Sequence, residues 1–150
     1  MKKLLVLLVL LLLLAAAAPP LAYWAGLENT VGRPVPPNVP YSNVEAGRVW
    51  LERKEALPVQ LRSITPWHWY ELLWCSRNDD KLEDFLTCGD RYPGLRASGF
   101  VAKEYLIQNM KESGLLWRYL SRTALTIWIT QNWNERDLVA ELIRLRKLGR

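Results

Sequence analysis

Near the C-terminus the chain spells two amphipathic helices in immediate succession, across SRTALTIWITQNWNERDLVAELI, residues Ser121 to Ile143. Leu116, Leu120, Ala124 and Ile127 fall four, four and three apart, so one helix presents an apolar stripe that Trp117, Leu125 and Trp128 widen. After Trp133 comes Asn134, a helix N-cap with Asp137 three residues on in a capping-box arrangement. The second helix then directs Leu138, Val139, Leu142 and Ile143 inward. Joined by so short a turn, the two are expected to bury these faces against each other and against whatever precedes them. Everything upstream reads as the remainder of that core.

A chain of 150 residues supports one domain, or one domain plus an anchor. Half its residues are hydrophobic and eight are Trp, so a packed interior needs neither metal nor cofactor, and none is expected. The formal charge of +5 invites a nucleic-acid reading, but six basic residues sit at the ends: Lys2, Lys3, Arg144, Arg146, Lys147 and Arg150. Without them, fourteen basic residues face fifteen acidic ones, so the body lacks the footprint of a phosphate-backbone binder.

Residues Leu4 to Ala18 form an unbroken apolar run behind two lysines, the layout of an export signal. Alone, its 15 residues fall short of the roughly 20 that cross a bilayer. Leu21 to Ala25 extend it, and Tyr23 with Trp24 suits an interfacial belt, while Pro19 and Pro20 are expected to interrupt it. A small-residue cleavage site lies within Ala15 to Ala18. Residues 1–25 are therefore a signal peptide or a retained membrane anchor, and either exports the body. Two cysteines, Cys75 and Cys88, suit an oxidising compartment and are expected to form one disulfide closing a small loop. The alternative is a pair of free thiols, with His68 seven residues before Cys75 as the partner of a nucleophile. One His and two Cys do not make a closed tetrahedral metal set.

Residues 26–43 carry Pro34, Pro36, Pro37 and Pro40 and read as an extended linker, which leaves 44–150 as the exported helical domain. Val44 to Leu61 is ambiguous between a short helix around Trp50 and an edge strand through Leu57, Val59 and Leu61. Thr65 and Pro66 open a helix whose Trp67, Tyr70 and Trp74 share one face, expected to be core, with Leu72 and Leu73 beside them. Asp79, Asp80, Glu83 and Asp84 lack the spacing of a calcium loop and read as an exposed acidic turn. Ser98 is expected to cap the next helix, with Val101, Tyr105, Leu106 and Met110 inward and Gly114 ending it. The basic tail IRLRKLGR favours a helix C-terminus and could also touch anionic lipid.

Several of these segments together resemble the peptidoglycan glycosyltransferase (transglycosylase) domain, a lysozyme-like helical module that polymerises lipid II at the outer face of the bacterial inner membrane. ALTIWITQNWNERDLVAEL is similar to that family's A-L-x-L-x-I-E-x-x-W-S-K-x-x-I-L stretch, RASGFVAKE to its G-A/S-S-T-I-x-Q-Q segment at Ala97 and Ser98, and LWRYLSR keeps an arginine, Arg118. SITPWHWYELL is similar to the segment that leads the helix before the catalytic glutamate. The resemblance implies a mainly α, compact, lysozyme-like bundle behind an N-terminal leader, anchored in the inner membrane with its body in the periplasm or secreted there.

The departures imply lost catalysis. By spacing, the family's catalytic Glu-Asp pair falls on Ser76 and Arg77, its two glutamines on Ala102 and Lys103, and its motif lysine on Tyr119. The expected function is thus a non-catalytic, membrane-tethered domain that binds a lipid-linked cell-wall precursor, glycan or envelope protein, with Arg96, Lys103 and Arg118 as anion contacts. Two alternatives stand: a secreted, disulfide-bonded protein-interaction module, and an active lysozyme-like enzyme using Glu71 or Glu83 with Asp84.

Overall fold

The computed structural model describes residues 2–71 and 91–149. The expected Cys75–Cys88 disulfide, the Glu83 and Asp84 pair, Ser76, Arg77 and the aromatic helix beyond Glu71 all lie outside them. Within the described residues the chain is mainly α-helical: α1 (Lys2–Glu28), α2 (Asn43–Glu52), α3 (Leu95–Leu106), α4 (Leu115–Asn132) and α5 (Glu135–Lys147). A further helical turn runs through 68–71, and the only β pairing among these residues is an isolated antiparallel bridge between Thr30 and Met110.

Pro19 and Pro20 do not interrupt the leader, which continues through both as one helix of 27 residues. Each proline removes the amide that would have bonded a carbonyl four residues back, those of Ala15 and Ala16. A body side chain repairs one of these losses, since the Tyr70 hydroxyl donates to the Ala15 carbonyl. By length and composition α1 could cross a membrane, and Leu4 to Leu14 are exposed throughout.

Its last two turns belong to the body. Gly26 and Leu27 are buried, and Gly26 lies directly on α4: a methyl group there would meet the Leu120 carbonyl oxygen at 2.4 Å and the Ala124 Cβ at 2.7 Å. Farther back, Tyr23 packs on the small cluster of Ile64, Tyr92 and Ile127. The helix stops where Thr30 Oγ1 and the Arg33 guanidinium satisfy the Leu27 carbonyl at 2.7 and 3.3 Å. The proline-bearing stretch that follows is extended and laid along the body, with Pro34 buried, Val39 and Tyr41 on the core, and the Tyr41 hydroxyl donating to the Arg136 carbonyl.

The main core is shared by α2, α3, α4 and α5, through Val49, Trp50, Val101, Leu106, Leu125, Ile129, Trp133, Leu138 and Leu142 among others. The capping box expected at Asn134 is present, Asn134 Oδ1 accepting from the Asp137 amide and Asp137 returning to the Asn134 amide. A second one, Ser42 with Glu45, starts α2 and resolves the ambiguity of that stretch in favour of helix. Backbone and side-chain bonds from Ser42 hold the Glu45 carboxyl below the usual carboxylate range. The last two helices, expected to bury their faces against each other, instead meet mainly through α3: α4 lies against α1 and α3, whereas α5 lies against α2 and α3.

Four expectations are corrected here. Leu116 is exposed, and the first fully buried residue of α4 is Ser121, with Trp117 and Leu120 only part-buried. On the 68–71 turn the buried aromatic is Trp69, with Trp67 and Tyr70 about half exposed. Ser98 lies inside α3, fully buried, and Gly94 takes the N-cap position. Gly114 does not end α3, which stops at Leu106, but precedes α4 as its N-cap.

With no side-chain cap of its own, α3 borrows one. Glu55 is buried and accepts from three amides at the start of that helix, Gly94 at 3.1 Å, Arg96 at 2.7 Å and Ala97 at 3.0 Å. A carboxylate at a helix N-terminus answers both the orphan donors and the positive end of the helix dipole. Gly94 permits the approach: its φ is +82° and a Cβ would meet Leu61 Cδ1 at 2.6 Å.

Two substitutions test this scheme in the full chain in detergent. Glu55→Gln should cost about 1–3 kcal/mol, since at least one charge-assisted bond to a buried amide goes unmade. Gly26→Ala should cost about 1–3 kcal/mol, because the obstructing atom is helix backbone. Urea midpoints that stay at the wild-type value would contradict the respective contact.

Candidate functional site

The segment between α3 and α4, residues 107–114, is fastened to the end of α1. The Asn29 side chain donates to Ser121 Oγ at 2.9 Å and to the Glu112 carbonyl at 3.2 Å, and it accepts from the Glu112 amide at 2.8 Å. Around it, the Val31 amide donates to the Asn109 carbonyl, the Lys111 amide to the Asn29 carbonyl, and the Tyr105 hydroxyl to the Val31 carbonyl, all at 2.8–2.9 Å. This connection is held from both sides by bonds remote in sequence, and its shape is correspondingly fixed.

So placed, it roofs a cleft of about 530 Å³ between the second half of α3 and the first half of α4. Leu106, Ile107 and Met110 supply an apolar side, Ser113 a polar edge, and Lys103, Arg118 and Arg122 the charge. Arg118 and Arg122 stand four apart on α4, hence on one face. Each guanidinium is anchored by its Nε, Arg118 to the Ser113 carbonyl at 3.0 Å and Arg122 to the Gly99 carbonyl at 3.2 Å. Among the described residues no partner takes their terminal nitrogens or the Lys103 ammonium, and no acidic side chain lines the cleft. Three cations over an apolar wall, with no carboxylate to neutralise them, form a local positive potential suited to a phosphate or other anion carrying a hydrophobic group.

Two of the three expected anion contacts, Lys103 and Arg118, therefore come together, and Arg122 joins them. Arg96 does not line the cleft: its guanidinium donates to the Lys54 carbonyl beside the Glu55 cap. Arg122 was legible in principle, as the residue one turn beyond Arg118.

No family model matches the chain, and neither a curated protein nor a solved structure matches it.

Several acid–base groups elsewhere among the described residues are engaged structurally. Of the described carboxylates only Glu55 and Glu141 are buried; Glu55 is spent on amides, and Glu141 grips Arg144 with two bonds of 2.6 Å. Glu71 is exposed and accepts from the Tyr92 hydroxyl, which burial and that carboxylate hold above the ordinary tyrosine range. His68 Nδ1 accepts from the Thr65 amide at 2.9 Å, closing its own turn. No cluster of three potential metal ligands occurs among the described residues. Two of the tail cations have partners as well, Arg144 on Glu141 and Arg146 on Glu52 at 3.1 Å.

Asn29→Ala should loosen the roof of the cleft. Its Ser121 and Glu112 partners are left unpaired, at a cost of about 1–3 kcal/mol, and amide exchange at residues 110–113 should rise selectively. Unchanged protection there would show that the fastening lies elsewhere.

Proposed function

We propose that this chain is a membrane-tethered helical domain, displayed on the periplasmic side of an inner membrane, that binds a lipid-linked cell-wall precursor without processing it. The observation that carries the reading is the cleft of Lys103, Arg118 and Arg122 over Leu106, Ile107 and Met110. A diphosphate bonded to a polyprenyl chain matches both halves of that surface. The guanidiniums offer bidentate donors to phosphate oxygens, and the apolar wall takes the first isoprenoid units. Proximity to the anchor supports it, since the cleft roof is bonded to residues 29–31, immediately beyond α1.

The body is further proposed to be a degenerate relative of the lysozyme-like peptidoglycan glycosyltransferases. The resemblance around Arg118 and along α4 and α5 supports that kinship. Among the described residues, the engagement of Glu55 and Glu141 supports a non-catalytic reading, because a general base needs a free oxygen within reach of the proton it removes.

A second groove, of about 840 Å³ beside Tyr41, Leu57, Pro58, Val59 and Val139, favours a runner-up reading as a protein-interaction module.

Titration of the full chain in nanodiscs with lipid II separates these readings. Replacing Arg118 and Arg122 together by Gln should weaken binding at least roughly tenfold, the loss of about 1.5–3 kcal/mol expected for a charge-assisted contact. Affinity indifferent to both arginines would overturn the cleft assignment, and polymer formed on incubation with lipid II would overturn the non-catalytic one.

A further inference from the structure

The body grips α1 from Ala15 onward, within the stretch that would span a bilayer. The Tyr70 hydroxyl reaches the Ala15 carbonyl, and Trp69 and Tyr70 together with Ala18, Pro19 and Ala22 line a small apolar recess. Upstream of that contact, Leu4 to Leu14 are exposed throughout. Those eleven residues rise about 16 Å at 1.5 Å each, roughly half of a hydrocarbon core about 30 Å thick.

The surface around the gripped part of α1 is apolar in compensation. Leu21 and Trp24 on α1, Tyr70 against that helix with Trp67 three residues before it, and Leu116 and Tyr119 on α4 are each 47–67% exposed, and none carries a charge. Trp69 links the two sides of this surface, its ring 6.0 Å from that of Tyr119. Its residue types are those that populate the boundary between acyl chains and headgroups.

A third observation is independent of exposure. Pro19 deprives the Ala15 carbonyl of its helical donor, and Tyr70 replaces that donor from outside the helix. Facing water, such a carbonyl would need no help. In hydrocarbon an unpaired one costs several kcal/mol.

We propose that this face is an apron immersed in the leaflet on the body's side, with lipid acyl chains as its occupant, so that α1 and the apron together meet the full bilayer thickness. The proposal rests on the membrane-tethered reading and is independent of the ligand in the cleft.

The test uses the full chain in phosphatidylethanolamine–phosphatidylglycerol vesicles. An environment-sensitive fluorophore is attached to Leu116→Cys, Trp67→Cys or Val35→Cys without reductant, with the unsubstituted protein as the labelling blank. Lipids brominated along the acyl chain should quench emission at 116 and 67 but not at 35, which is exposed on the extended segment. Equal emission at all three positions in brominated and unbrominated vesicles overturns the apron. Shielding at 116 and 67 that grows with protein concentration and ignores bromine assigns the face to a second copy, and overturns it too. Carbonate extraction of the same samples reports the tether separately: protein that stays membrane-bound with unquenched labels keeps its anchor and loses the apron, whereas extracted protein loses both.

Discussion

Backbone-to-backbone approach at Gly26 is the constraint from which the rest of the arrangement follows. Because this residue has no side chain, α1 can settle on the Leu120 carbonyl and Ala124 of α4 instead of standing off by the width of a side chain. That brings Asn29 within reach of Ser121 and Glu112, and Thr30 opposite Met110. The bonds made there shape the segment before α4, and that segment closes one end of the cationic cleft. A hydrophobic leader, a backbone seam and a binding surface are thus one continuous piece of mechanics.

What could be read from residues alone was whatever depends on near neighbours. The pairing of Asn134 with Asp137 and the inward set Leu138, Val139, Leu142 and Ile143 sit as their spacing requires, since capping boxes and helical stripes are decided within a turn or two. Ser42 and Glu45 carry the same signature, Ser-x-x-Glu, which decides for helix at the start of a stretch whose later alternation also suits a strand. Gly114 went to the wrong helix for a related reason: a glycine between two helical patterns serves the end of one as readily as the start of the next. Nothing local announces Glu55, whose carboxylate crosses about forty residues to cap α3. Once that role is filled from a distance, Ser98 is free to move into the helix interior. Likewise the proline pair breaks a helix only if the orphaned carbonyls stay orphaned, and the donor that tips the balance at Ala15 comes from Tyr70, fifty-five positions away.

The candidate site shows the same division. Lys103 and Arg118 were identifiable as cations on adjacent helices, but their convergence depends on how α3 and α4 are joined, which Asn29 determines from outside both. Arg96 belongs to the same helix as Lys103, yet its end of α3 is committed to the Lys54–Glu55 corner. A sequence alone therefore yields its helices more readily than its sites, since a site is assembled from long-range contacts.

The seating of Gly26 bears on maturation. A peptidase acting at the alanines that end at Ala18 would cut upstream of the seam, and residues 19–28 would remain lodged against α4. The segment usually regarded as disposable is in part a wall of the domain. Trimmed and untrimmed forms would share the same interior, and processing would decide only whether the finished domain keeps the exposed apolar turns upstream of it.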